Sequence, residues 1–308
     1  MTTRRTTVTV AVASVGRPQR LARSLDFIAR QDDSPDGFIV ISQERDFETQ
    51  AVAQAEGAQL VVVRRPGAAH AIQQGIAAAS TEVISFIDDD AEAHPDWVRR
   101  IRTTFDADSR LGLLGGRDNV DGDRDAGNSA LPVGVVRRGR VIGNHHLGKG
   151  EARAAHHVKG ANMSLRVSPA RNIDVAGLVR GEGAQTAFEL ILSLGILRQG
   201  FSGRYDPRVQ VDHFPAPRAK GDERTRHTFE RTAIMKHNEA TAVALYLPRH
   251  QVVVYVLRSL LRGDRICCGA LTLVYLRLGG DTSAAQRFRA SLVGLRSGLR
   301  TARVSRGK

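Results

Sequence analysis

The chain has 308 residues, 42% of them hydrophobic and 25% charged, with a formal net charge of +13. That is the composition of an ordinary globular protein, long enough for one large α/β domain with an appendage. No run of 18 or more uncharged apolar residues occurs, so a spanning helix is not expected, and "MTTRRTTVTVAVAS" has no long apolar segment of a secretory leader.

The predicted elements alternate. "TVTVAVA" (7–13) reads as a strand, broken by Gly16-Arg17-Pro18, and "PQRLARSLDFIARQ" carries Leu21, Leu25 and Ile28 at helical spacing. "GFIVIS" (37–42), "AQLVVVR" (58–64) and "EVISFID" (82–88) are further strands, separated by helices over 47–56 and 68–80. A helix follows Trp97 to about 107, then a strand at "GLLGGRD" (112–118). Residues 119–150 are rich in Gly, Asp and Arg and read as long loops or an irregular hairpin. "HHVKGANMSLR" (156–166) is a strand and turn, 186–200 a helix that Gly200 caps, and "RYDPRVQVDHF" (204–214) a strand. From 221 on, helices dominate. This rhythm predicts an α/β fold with a mostly parallel sheet and helices on both faces, whose ligands bind beyond the carboxyl ends of the strands.

At one such end stand Asp88, Asp89 and Asp90. Three adjacent like charges repel unless they stay solvated or meet a cation, so the triplet is either a solvated turn or a cation site. If the extended geometry persists, alternation puts Asp88 and Asp90 on one side and Asp89 on the other.

The motifs "VTVAVASVGRPQRLARSLDFIARQ", "AIQQGIAAASTEVISFIDDDAEAHPDW", "GGRD", "KGANMSLR" and "FELILSLGILRQGFSGRYDPRVQVDHF" occur in the order of family 2 glycosyltransferases, and over about 7–215 the chain resembles that family. "GNHHLGKG" followed by "KGANMS" resembles a subgroup acting in bacterial polysaccharide or cell-surface glycan assembly. The resemblance implies the GT-A fold, a Rossmann-like nucleotide-diphospho-sugar transferase sheet. It implies a catalytic domain over 1–220, with a donor half (about 1–118) and an acceptor half (about 119–220), while the charge and helical pattern set apart a basic helical region over 221–308.

It also implies inverting transfer of a sugar from a UDP-, GDP- or dTDP-sugar to a glycan or polyprenyl-linked acceptor, with Mn²⁺ or Mg²⁺ as cofactor. A divalent ion neutralises charge on the leaving diphosphate, and few carboxylates suffice to hold it. The triplet then supplies the DXD pair, Asp88 and Asp90. Asp88 and Asp89 face the donor, Asp90 holds the metal, and His213 adds a metal ligand, one that suits Mn²⁺ better than Mg²⁺, or touches the diphosphate. Asp212 is the neighbouring alternative to His213. Glu189, eleven positions before Gly200, is the catalytic base, although Phe188 stands where the family's other acid would be. Glu182 is the second candidate.

Ala13, Arg17, Ser42, Gln43, Gln73 and Asn162 fall at donor-binding positions. Ser42-Gln43 replaces the family's acidic pair for base and ribose, with Glu44 or Asp46 as possible substitutes, and Gln73 stands where relatives carry Asn. Arg17 and Arg117 are candidate diphosphate or glycan contacts. His145 and His146 read as polar loop contacts.

Two other readings compete. A nucleotidyltransferase would need a glycine-rich basic phosphate loop, and "SVGRP" is poor in glycine. A non-catalytic glycan or nucleic-acid binder could use the charge, but the tail lacks interleaved aromatics, so nucleic acid is not an expected partner. Adjacent Cys267 and Cys268 lack metal-ligand spacing and read as free thiols of a reduced compartment.

The charge is uneven. Residues 224–308 hold fourteen Arg and two Lys against Glu230, Glu239, Asp264 and Asp281, which is +12 of the +13. "ATAVALYLPRHQVVVYVLRSLLRGDR" and "ICCGALTLVYLRLGG" are apolar helical stretches interrupted by arginines, too broken to span a bilayer. Peripheral attachment to an anionic cytoplasmic membrane face is expected, against a helical subdomain that packs on the sheet or forms a dimer.

Overall fold

The computed structural model describes residues 5–215 and 228–307. The expected boundary at 220/221 lies outside them. The chain runs β1 (Val8–Ala13), α1 (Pro18–Ala29), β2 (Gly37–Gln43), α2 (Phe47–Ala55), β3 (Gln59–Val63), α3 (Ala68–Ala78) and β4 (Val83–Asp88). Then come β5 (Ala91–Ala93), α4 (Trp97–Ala107), β6 (Leu111–Val120), β7 (Val135–Arg137), β8 (Arg140–Ile142), β9 (Arg153–Ala154), β10 (Asn162–Arg166), α5 (Val167–Ala170) and α6 (Val175–Leu178). Last are α7 (Phe188–Arg198), β11 (Ser202–His213), α8 (Phe229–Tyr246), α9 (Arg249–Leu261), α10 (Ala270–Leu278) and α11 (Ala284–Arg306).

The main sheet has the order β3-β2-β1-β4-β10-β6-β11-β5, with β9 on β11. β1 to β4 are mutually parallel, as is β6 with β11, while β10 runs antiparallel between β4 and β6. Side-chain alternation splits the core into two layers. Val8, Val10, Val12 and Ile87 join Leu21, Leu25 and Ile28 of α1 and Trp97, Ile101 and Phe105 of α4. Ala11, Ile39, Ile41, Ile84 and Phe86 face the opposite way, onto Ile72 and Ile76 of α3 and Ile191 and Leu194 of α7. Gly116 permits a close crossing, because a Cβ there would run into Val209 O and the amide of Asn162. The register of β11 against β6 shifts at this place, between Asp206 and Gln210.

The C-terminal helices are not equivalent. α8 packs on α7 and α11. Its Ala242 belongs to the core under the sheet, and its Asn238 amide bonds Arg180 N and O and Thr186 O. Gly298 brings α11 against α8, where a Cβ would lie 2.5 Å from His237 O. α9 and α10 lie outside this pair, and α10 buries none of its residues. Both cysteines are buried free thiols.

Candidate active site

The carboxyl ends of β1, β2 and β4 form one shelf. Ala13 pairs with Ile41 and with Asp88, so Ser42, Gln43 and the aspartates lie side by side beyond them. Asp88 ends β4, Asp89 and Asp90 form a turn, and β5 starts at Ala91. The short β5 could not be read from periodicity, and it matters most here. It pairs antiparallel with β11, setting His213 opposite Ala91, and Phe214 N donates to Asp90 O at 2.9 Å. A histidine 123 positions downstream of Asp90 is thereby fixed beside it. His213 Nε2 is 3.2 Å from Asp90 Oδ1 and 3.8 Å from Asp88 Oδ2.

Asp88, Asp90 and His213 each offer a ligand atom, all within 4.8 Å of one another, the one such group of His, Cys, Asp or Glu found among the described residues. Two carboxylate oxygens and an imidazole nitrogen are a donor set that fits a divalent ion of borderline hardness, such as Mn²⁺. At the other ring nitrogen, Nδ1 of His213 is 3.7 Å from Asp118 Oδ2. An imidazole so oriented presents Nε2 to a cation. Asp118 is fully buried and paired with Lys159. Burial works to raise its pKa, but His213 and the Lys159 ammonium hold it below the usual range. Neither Asp118 nor Lys159 was singled out from the sequence, although "GGRD" and "KGANMSLR" contain them.

Burial also pulls the His213 pKa down, yet the carboxylates of Asp118 and Asp90 and the charge of Asp88 outweigh it and push it up to about 9. In the metal-free protein the imidazolium thus partly neutralises the acidic cluster. Because this pKa lies above its unfolded value, the metal-free fold has its full benefit below about pH 6.5 and loses it as pH rises through about 9. Metal binding reverses the trend, since the ion must displace that proton. We expect titration calorimetry with Mn²⁺ near neutral pH to record release of about one proton, with affinity rising about tenfold per pH unit until His213 has titrated. Binding without proton release would remove His213 from the ligand set.

The remaining aspartate turns away. Asp89, expected at the donor, is buried, accepting from Ser14 Oγ at 2.7 Å and from Arg17 at 3.0 Å. Burial raises its pKa against these two partners. Arg17 also lies 3.6 Å from Asp90 Oδ2, so it braces the triplet.

Glu189 stands in the first turn of α7, after Ala187 in a left-handed N-cap conformation. Its Oε1 lies 3.4 Å from Gly160 N, in the turn that also carries Lys159. From Glu189 the contacts run to Gly160 N, and from the adjacent Lys159 to Asp118 and on to His213.

The model of the family described as Glycosyl transferase family 2 matches residues 9–173, more than half of the chain. The chain belongs to glycosyltransferase family 2. No curated protein matches it in sequence. Among solved structures it resembles GalNAc-T7 with UDP, GalNAc and Mn²⁺, with a TM-score of 0.62 at 13% identity over 91% of this chain and 58% of that one. It also resembles a mannosyltransferase from Pyrobaculum calidifontis in complex with GDP-Man and Mn²⁺, with a TM-score of 0.53 at 14% identity over 98% and 87% of the two chains. A mycobacterial protein gives 0.52 at 16% identity over 80% and 76%. At such identities the likeness is one of fold, and the fold is GT-A.

Other residues singled out from the glycosyltransferase sequence have structural occupations. Asn162 does not open onto the cluster. Its buried amide donates to Arg117 O and Val209 O and accepts from Trp97 Nε1. Asn162→Leu would orphan those three groups, and we expect a loss of at least ~3 kcal/mol, read as a lower urea midpoint with unchanged m. Gln73 accepts from Ala176 N at 2.8 Å, tying α3 to α6. Arg117 is buried and donates to the carbonyls of Asp123, Arg124 and Ala126, shaping the 121–127 loop. Asp212 is turned to His94, Asn119 and Arg124, away from the metal group. Asp46 caps α2 and accepts from Gly16 N, while Glu44 pairs with Arg64. His145 is buried against His157 and Tyr205, and burial lowers its pKa to about 4. Glu182 is exposed in a cleft of about 890 Å³ that Arg65, His70, Arg180, Gln185 and His237 also line. That cleft includes none of the metal-group residues.

Proposed function

We propose that the chain is an inverting glycosyltransferase that moves a sugar from a nucleoside-diphosphate donor to an acceptor hydroxyl by one in-line displacement. The observation that carries this reading is the meeting of Asp88, Asp90 and His213 beyond β4, with Glu189 at the Lys159–Gly160 turn, whose Lys159 pairs with Asp118 beside His213. When bound, Mn²⁺ or Mg²⁺ supplies charge neutralisation at the diphosphate. Ala13 and Gln43 line the shelf for the nucleoside, with Ser42 buried between the strand ends behind them. Glu189 takes the acceptor proton as its oxygen bonds the anomeric carbon. The bond from that carbon to phosphate oxygen breaks, and its electron pair leaves with the nucleoside diphosphate. The cleft ahead of α7, lined by Arg65, Arg180 and Glu182, is the space we assign to the acceptor, since the loop that borders it leads directly into Glu189.

UDP-, GDP- and dTDP-sugars are the donors to test. A glycan or polyprenyl-linked acceptor at the cytoplasmic membrane face, in polysaccharide or cell-wall assembly, is the setting that the motifs and the basic C-terminal helices support. Hydrolysis of a panel of these sugar nucleotides with Mn²⁺, with Mg²⁺ and with EDTA tests the reading. At least one donor should turn over with metal and none in EDTA, and full turnover in EDTA would overturn it.

A further inference from the structure

α9 and α10 expose apolar stripes that none of the described residues covers. On α9, Tyr255 and Ser259 face inward, while Val253, Val254, Leu257 and Leu261 stand on the outward side. On α10, Leu271, Val274, Tyr275 and Leu278 recur at helical spacing and are 57–85% exposed. Solvated helices do not need such residues in contiguous rows.

Cations drawn from two distant parts of the sequence lie on or beside α9 and α10. Between 249 and 280 there are five arginines and one acid, Asp264, whose Oδ1 is bonded by Ile266 N and Cys267 N. The turn of the β7–β8 hairpin packs on α9, so that a Cβ at Gly139 would meet Val254 O at 2.8 Å. The hairpin brings exposed Arg137, Arg138 and Arg140 to the same flank. Partial burial and then the charges of Arg140 and Arg262 lower the Arg258 pKa, which marks a crowd of like charges.

We infer that α9, α10 and the β7–β8 arginines form one docking surface for an anionic lipid bilayer, the aliphatic stripes entering the interface and the arginines meeting lipid phosphates. It rests on the membrane setting of the proposed function and supplies its attachment site. A second copy is a poor occupant, because two such faces bring like charges together. Nucleic acid would answer the arginines and leave the aliphatic rows in water. A bilayer with acidic headgroups answers both. No helix among the described residues is long and apolar enough to cross the membrane, so attachment is at the surface.

Vesicle flotation with the full chain tests this. It should float at low salt with vesicles containing phosphatidylglycerol, stay down with phosphatidylcholine alone, and be released by high salt. Substituting Arg137→Gln, Arg138→Asn and Arg140→Gln together removes three charges, with Asn chosen for the left-handed turn at 138. At about fivefold per residue, binding should fall on the order of 100-fold. Substituting Leu271→Ser, Val274→Ser and Leu278→Ser should also abolish flotation without lowering the thermal midpoint, because these side chains are exposed. No flotation, or flotation indifferent to the arginine substitutions, overturns the inference. Sedimentation showing a dimer that the serine substitutions split, without lipid binding, would assign the face to a second copy instead. Donor hydrolysis in vesicle-free buffer, measured on the same proteins, separates this surface from the catalytic reading.

Discussion

Glu189→Gln should lower transfer turnover by roughly 10²–10⁴-fold while the donor dissociation constant stays within about twofold. The amide keeps the shape of the carboxylate and can still meet Gly160 N, 3.4 Å away in the wild-type protein. What it loses is the ability to take the acceptor proton during attack. Stopped-time transfer assays with donor-binding titrations distinguish the cases. Equal loss of donor binding would make Glu189 a structural support of the Lys159–Gly160 turn. Unchanged turnover would move the base elsewhere, and Glu182 in the neighbouring cleft is then the residue to replace.

Asp90→Ala should reduce transfer by at least ~10³-fold, because the leaving diphosphate loses a counterion worth several kcal/mol at the transition state. The geometry makes Asp90 more sensitive than Asp88. Asp90 lies nearer His213, at 3.2 Å against 3.8 Å, and within 3.6 Å of Arg17, whereas Asp88 is half-exposed. Metal titration followed by Mn²⁺ electron paramagnetic resonance gives a readout apart from turnover. Free Mn²⁺ signal should persist in the variant at concentrations where the wild type has bound it. Wild-type affinity in the variant would exclude Asp90 as a ligand. Asp89→Asn serves as a contrast, since its carboxylate holds Ser14 and Arg17, and its loss should act on folding more than on metal affinity.

What the sequence determined by itself was the layered architecture and the identity of the acidic end. Strand periodicity in "TVTVAVA" and "EVISFID" and helical spacing of Leu21, Leu25 and Ile28 are local properties, written by which side chains must leave water. Alternation also groups Asp88 with Asp90 against Asp89, but in the fold it is the turn at Asp89-Asp90, not a continued strand, that makes this split. Pairing and crossing were decided only in three dimensions. The three-residue β5 has no readable period, yet its pairing with β11 brings His213 to Asp90. Asp118 lies on β6 and Lys159 in the turn before β10, so the antiparallel pairing of β10 with β6 brings that ion pair together, and the register of β11 on β6 sets His213 beside it.

Asn162, Gln73 and Arg117 are polar residues in motif positions, which sequence alone reads as ligands for a substrate. In the fold all three bond protein backbone, and the buried Asn162 also accepts from the Trp97 indole, contacts that meet polar groups taken out of water. The basic tail divides likewise. Composition states that it is helical and cationic, but only packing separates α8, which lies on α7 and under α11, from α9 and α10, whose apolar rows stand exposed among the described residues.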